Sequence, residues 1–268
     1  MKITLTNLHT YPIKSLQGID LDTAIVESRG LKLDRRWMII EPDGMFVTQR
    51  KYPQLALVQL KVTEAALVLD APGMSTLEIG LTENTRVSKY VKVWSDECAA
   101  LEVSKTANQW FSDYLKTPLQ LMYMPDDTNR LVEAKHNINN HITSFSDGYP
   151  FLLISEASLA DLNARLEQPV PMNRFRPNLV VSGTEAYAED TWKKIRVGEV
   201  VFHLVKPCAR CVFTTIDQKT GEKGAEPLKT LSQYRKEGAK VLFGQNLLQE
   251  TNGVVKVGDE VEVLEVKS

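Results

Sequence analysis

Short runs of β-forming residues, each closed by a turn signal, dominate the first third of the chain and point it toward sheet rather than helical bundle. Ile3–Tyr11 alternates, and Ile19–Val26 is rich in β-formers. Arg36–Glu41 and Met45–Thr48 flank Pro42-Asp43-Gly44, a hairpin signal in which proline presets φ and glycine takes the left-handed position. Leu55–Val62, Leu67–Asp70 and Val87–Trp94 continue the series, and their close spacing predicts a twisted sheet or small barrel. Helical patterning predicts a helix over Ser104–Leu115, capped by Ser104 and stopped by Pro118. A second helix is expected from Ser155, with Leu159, Leu162 and Leu166 on one face, and a third over Pro227–Lys236 before Gly238. Strands are expected at Phe151–Ile154, Leu179–Ser182, Val200–Val205, Val212–Ile216 and Val261–Val266. The predicted fold class is mainly β with peripheral helices (α+β), in two parts. The polar segment Asp126–Ile142 is either their boundary or a loop that covers a ligand.

Lys plus Arg number 32 and Asp plus Glu 34, a net charge of −2, which argues against bulk binding to nucleic acid polymer or to an anionic membrane. A local basic pocket stays open. The N-terminus lacks the apolar core of a signal peptide, and no apolar run approaches the roughly 20 residues that span a bilayer, so a soluble, cytoplasmic protein is expected. The three cysteines, Cys98, Cys208 and Cys211, are too few for a disulfide framework.

Lys206-Pro207-Cys208-Ala209-Arg210-Cys211-Val212 admits several readings. Cys-x-x-Cys is a thiol–disulfide motif when it opens a helix, but the residues after it are β-branched. It is half of a zinc site, but Cys98, His136 and His141 offer no matching pair. One cysteine is a thiolate ligand to a soft or redox metal, with Arg210 beside Cys211 favouring the thiolate. Or the two are small buried residues entering a strand. Basic residues recur beside turns in Tyr11–Ser15, Asp34-Arg35-Arg36-Trp37 and Asn173–Asn178; each suits phosphate, and each is equally a surface charge or ion pair. The carboxylates of Gly183–Trp192 read best as a helix cap, and Gly244-Gln245-Asn246 carries two amides able either to read a heterocycle or to bond within a turn.

In this order, the segments Tyr11–Ser15, Asp34–Trp37, Ser146–Phe151, Ile154–Leu159, Asn173–Asn178, Tyr187–Trp192, Cys208–Cys211 and Phe243–Asn246 resemble MOSC proteins. That domain is named after the C-terminal part of molybdenum cofactor sulfurase and is preceded here by the family's N-terminal β-barrel domain. The similarity is to the mitochondrial amidoxime-reducing components and their bacterial counterparts. It implies an N-terminal barrel domain over residues 1–120 and a MOSC domain over 121–268. It implies a molybdenum cofactor (Mo-molybdopterin), with Cys211 as the metal ligand and catalytic residue. Cofactor contacts carry over to Lys14, Ser15, Arg35, Arg176, Asn178 and Arg210, and also to Asp147, Gly148, Tyr149, Ala209 and Asn246. Glu185 falls near the family's metal site.

The implied reaction is two-electron reduction of small N-hydroxylated substrates: hydroxylamines, amidoximes and N-hydroxylated bases. Longer bacterial relatives continue into an iron–sulfur domain for which this chain has no cysteine set, so an external electron-donor protein, flavin or iron–sulfur, is expected. Two further readings are a cofactor or sulfur carrier without turnover, using Cys211, and a thiol–disulfide oxidoreductase that would need Cys208.

Overall fold

The computed structural model describes residues 2–267. Its two largest hydrophobic cores organise it. Trp37, Ile39, Leu67, Trp110, Phe111 and Leu121 belong to one. Leu5, Val181, Phe151, Phe202 and Leu247 belong to the other.

The first core lies between a four-stranded sheet, in the order Trp37–Ile40, Gln120–Tyr123, Asp96–Glu102, Ser88–Val93, and a three-stranded sheet of Gln59–Val62, Ala66–Asp70 and Leu77–Gly80. Helix Lys105–Leu115 closes it. Ser104 Oγ accepts from the Ala107 amide as its N-cap, and Ala107, Trp110, Phe111 and Leu115 form the buried face.

The second core is wrapped by a nine-stranded sheet. Its path runs Val261–Val266, Trp192–Val197, Val200–Arg210, Lys240–Gln249, Phe151–Ser155, Leu179–Ser182, Thr4–Thr10, Ile19–Leu21, and Lys236–Glu237 pairs off it. A bridge between Thr4 and Glu260 brings the strand Thr4–Thr10 back to the first member of that path, so the sheet curls toward a barrel. The one parallel pairing on the path, Phe151–Ser155 with Leu179–Ser182, is spanned by helix Glu156–Asn163, as a parallel crossover requires.

The chain therefore starts in the second sheet and only then enters the first. Thr4–Thr10 pairs with Leu179–Ser182, and Thr23–Glu27 pairs with Gly253–Lys256. The segments that follow these strands, Tyr11–Ser15 and Asp34–Arg36, run between the two cores, and this routing positions the site.

The mainly β fold with peripheral helices agrees with the patterning, with local corrections. Leu55–Val62 is not one strand: Pro53–Leu57 is a 3-10 turn, started by Pro53, and the strand is Gln59–Val62. Past Gly44, Met45 and Phe46 make isolated bridges only. The helix after Ser155 ends at Asn163, short of Leu166. Val212–Thr215 is a 3-10 helix, not a strand; Thr214 and Thr215 donate their hydroxyls back to the Cys211 and Val212 carbonyls, offering the backbone a local alternative to a ladder.

Candidate functional site

The metal ligand and the cofactor contacts that the resemblance implies all line a single cavity of about 580 Å³: Lys14, Ser15, Arg35, Asp147, Gly148, Tyr149, Arg176, Asn178, Ala209, Arg210, Cys211 and Asn246. Six cations face three carboxylates in that lining, an excess of positive charge that the near-neutral whole chain conceals.

Asp34 organises the basic side. It is buried and accepts from the Tyr11 amide (2.9 Å), the Asn178 side-chain amide (3.1 Å) and Arg35 Nη1 (2.6 Å). The guanidinium carbons of Arg35 and Arg176 lie 4.2 and 4.0 Å from the centre of the buried Tyr11 ring. The Tyr11 hydroxyl donates to the Pro177 carbonyl, and burial, only partly offset by the two arginines, pushes its pKa up to about 12. Gly18 makes this packing possible, because a Cβ there would meet the Tyr11 ring at 2.4 Å. Burial likewise pulls Arg176 down to about 10.

Ser15, Arg35, Trp94 and Arg176 all line the cavity with φ between +49° and +69°, left-handed conformations that non-glycine residues rarely adopt. Such strain persists where the surroundings impose it and clusters at functional sites.

Lys14 is buried and donates to the Phe145 carbonyl (2.8 Å) and to Asp147 (2.5 Å). Burial lowers its pKa to about 8, against the opposing pull of Asp147. Asp147 presents its surface to the cavity. Desolvation opposes its charge, but the Lys14 ammonium, the Trp94 N–H and Arg50 outweigh this and hold its carboxyl well below the usual carboxylate range.

The strand Val200–Arg210 is longer than the sequence pattern suggested and carries Cys208, Ala209 and Arg210 along the wall. Arg210 does not sit on Cys211 as the sequence reading had it. Its Nη1 lies 3.0 Å from Cys208 Sγ, its Nη2 donates to the Phe175 carbonyl, and its buried Nε has no partner. Cys211 is an exposed free thiol in the lining, Cys208 is half-buried, and Cys98 is buried away from the cavity. Lys240–Gln249 pairs antiparallel beside Val200–Arg210 in the same sheet. Strand alternation sends Asn246 to the cavity, while the buried Gln245 donates to Asp190 on the other side. These two amides lie in a strand, not a turn.

Several candidates turn elsewhere. Arg36 donates to the Met124 carbonyl and pairs with Asp126, and Arg174 pairs with Asp217, while their sequence neighbours Arg35 and Arg176 line the cavity. Glu185 is exposed and outside the lining. Glu189 does cap: it accepts from the Ser155 amide and the Ser158 hydroxyl at the start of helix Glu156–Asn163. Sequence reasoning missed Arg50, Trp94 and Phe213, which carry no motif. It met Glu133 only as part of the polar segment Asp126–Ile142, which contributes Leu131 and Glu133 to the lining. Glu133 accepts from Lys206 (2.7 Å) and Tyr149 (3.1 Å).

The cavity suits a ligand with an anionic end. Its volume is in the range of small-molecule sites, its lining carries more cations than carboxylates, and the buried Arg210 Nε has no acceptor. Among the described residues no three His, Cys, Asp or Glu side chains are grouped to hold a metal, so a metal at Cys211 would have to arrive with ligands of its own.

The family model described as the MOSC N-terminal beta barrel domain matches residues 2–118, and that of the MOSC domain matches residues 140–262. The human "Mitochondrial amidoxime-reducing component 1" is 36% identical, over 97% of this chain and 83% of that protein. The bovine "Mitochondrial amidoxime reducing component 2" is 36% identical, over 96% of this chain and 82% of that protein. Among solved structures, YUAD from Bacillus subtilis matches 98% of this chain and 95% of its own at 12% identity and a TM-score of 0.44.

Proposed function

The chain belongs to the MOSC family, in the company of the amidoxime-reducing components, and from that premise we propose that it is a molybdenum cofactor-dependent reductase of N-hydroxylated compounds. The observation that carries this reading is the convergence of Lys14, Arg35, Arg176, Arg210 and Cys211, from distant parts of the sequence, on one cavity.

In this proposal the cofactor's phosphate lies among Lys14, Ser15, Arg35, Arg176 and Arg210, where charge-assisted hydrogen bonds are strongest. Asn178, Asn246 and the backbone of Asp147, Gly148, Tyr149 and Ala209 hold the pterin. Cys211 supplies the protein thiolate. When bound, the cofactor supplies a molybdenum centre able to exchange two electrons between its IV and VI states. Overall the reaction consumes two electrons and two protons, converts N–OH to N–H and releases water. The protein's part is orientation: Arg35 is pinned by Asp34 and Asn178, Arg176 by the Leu16 carbonyl, and Arg210 by the Phe175 carbonyl. Groups fixed in this way need little reorganisation when the ligand arrives.

The electron donor is a separate redox protein, flavin or iron–sulfur, that approaches the exposed Cys211 side. The division into a barrel domain up to residue 120 and a MOSC domain beyond it, and the cytoplasmic location, belong to the same proposal. Among the described residues no helix is long and apolar enough to cross a membrane.

The deciding experiment is steady-state reduction of an amidoxime with an artificial electron donor. Turnover that survives Cys208→Ala and is lost in Cys211→Ser supports the reductase. No turnover by cofactor-loaded protein leaves the carrier reading, and loss on Cys208→Ala alone leaves the thiol–disulfide one.

A further inference from the structure

Trp94 and Arg50 face the cavity but have no part in holding the cofactor as proposed above. Trp94 sits just after the strand Ser88–Val93 with φ +59°, and its ring is held on three sides. Phe46 meets it edge-on at 5.2 Å, the Arg50 guanidinium carbon lies 4.3 Å from its centre, and its Nε1 donates to Asp147 at 3.2 Å. Even so, Trp94 is 47% exposed, whereas Trp37, Trp110 and Trp192 are at most 6% exposed. A well-braced indole on a strained backbone that still shows much of its surface is a prepared contact face.

Arg50 adds the polar half. Its Nε donates to Thr48 Oγ1, and no carboxylate of the described residues lies within the 4.0 Å of an ion pair. A guanidinium over an indole keeps its in-plane donor fork available, a geometry that matches carboxylate and phosphate. An indole with a guanidinium stacked over one face and much of its remaining surface exposed accepts a conjugated, planar molecule and gives a small alkyl group nothing to stack on.

We propose that Trp94 and Arg50 form the substrate-side wall of the cavity, selecting planar, conjugated N-hydroxylated compounds with an anionic substituent over small alkyl hydroxylamines. This rests on the reductase reading, and the test separates the two. Calorimetric titrations of cofactor-loaded protein compare an aryl amidoxime, its ring-carboxylated form and an N-alkyl hydroxylamine. The carboxylated aryl compound should bind most tightly. Trp94→Ala should weaken both aryl ligands by about tenfold and shift the alkyl one by less than about twofold. Trp94→Phe should restore most of the loss. Arg50→Gln should abolish only the carboxylate's advantage. Because the other tryptophans are buried, aryl ligands should quench the fluorescence of the wild-type protein and the alkyl compound should not.

Trp94→Leu, which keeps the apolar contact with Phe46, replaces Trp94→Ala if that variant does not fold. Equal weakening of all three ligands, loss of bound cofactor from a folded Trp94 variant, or an intact carboxylate advantage in Arg50→Gln overturns the proposal. Selective binding without turnover would sink the reductase reading and leave the wall standing. Turnover with equal KM for aryl and alkyl substrates would do the reverse.

Discussion

Lys14 is a cation held where burial opposes its charge, and this gives the site a pH signature. Its pKa falls from 10.5 to about 8, chiefly through desolvation, with Asp147 pulling the other way. Between those two values the unfolded chain binds more protons than the folded one, so the contribution of Lys14 to stability rises as pH rises from about 8 to 10.5. Affinity for an anionic ligand moves the opposite way, because the same step removes the charge. Protein without cofactor should therefore gain stability toward Lys14→Met and lose phosphate affinity above about pH 8, measured by denaturant unfolding and by titration with inorganic phosphate. An identical slope of stability against pH in wild type and Lys14→Met would contradict this. Residue chemistry was legible where a motif carried it: Lys14, Arg35, Arg176 and Cys211 were nominated from sequence and share one cavity. Which arginine of a pair faces inward was not legible. Arg35 and Arg176 are turned by left-handed backbone, and Arg36 and Arg174 are taken by carbonyl and carboxylate partners that are distant in sequence.

Between elements, the segment after Cys211 is tied to the other half of the molecule by an amide clasp. The buried Gln49 donates to the Ser15 carbonyl (2.8 Å) and to Gln218 (3.1 Å), and Gln218 donates back to Gln49 (2.9 Å). Lys223 adds a bond to the Arg50 carbonyl. Gln49→Ala leaves the Ser15 carbonyl and the Gln218 amide without their partner, and should cost about 1–3 kcal/mol of stability. Amide hydrogen exchange should quicken over residues 212–224, and unchanged exchange there would show that the clasp holds nothing in place. Nothing in the sequence marked this clasp, because Gln49 and Gln218 are far apart in the chain and meet only through tertiary structure. The misreading of Val212–Ile216 has a local cause. The β-branched composition predicted a strand, yet two of those residues are threonines whose hydroxyls return to the backbone and favour a tight turn.

On the scale of the whole molecule, the cavity exists because the chain begins in the second sheet and crosses to the first. The fold class was legible from alternation and turn chemistry, but this crossing was not, since pairing Thr4–Thr10 with Leu179–Ser182 joins residues far apart in the sequence. Residues 121–268 produced alone would lack Lys14, Ser15 and Arg35, would leave one edge of Leu179–Ser182 unpaired and would leave Gly253–Lys256 without its partner strand. That fragment should be poorly folded by circular dichroism and should retain no cofactor. The role given to Cys211 within the complete cavity is open to metal and pterin analysis of full-length protein made in a host that synthesises the cofactor, wild type beside Cys211→Ser. Wild type should carry molybdenum and pterin near one per chain, and Cys211→Ser, equally well folded, should lose most of the metal. Wild type without molybdenum and pterin, or Cys211→Ser with the same metal content as wild type, would contradict the assignment.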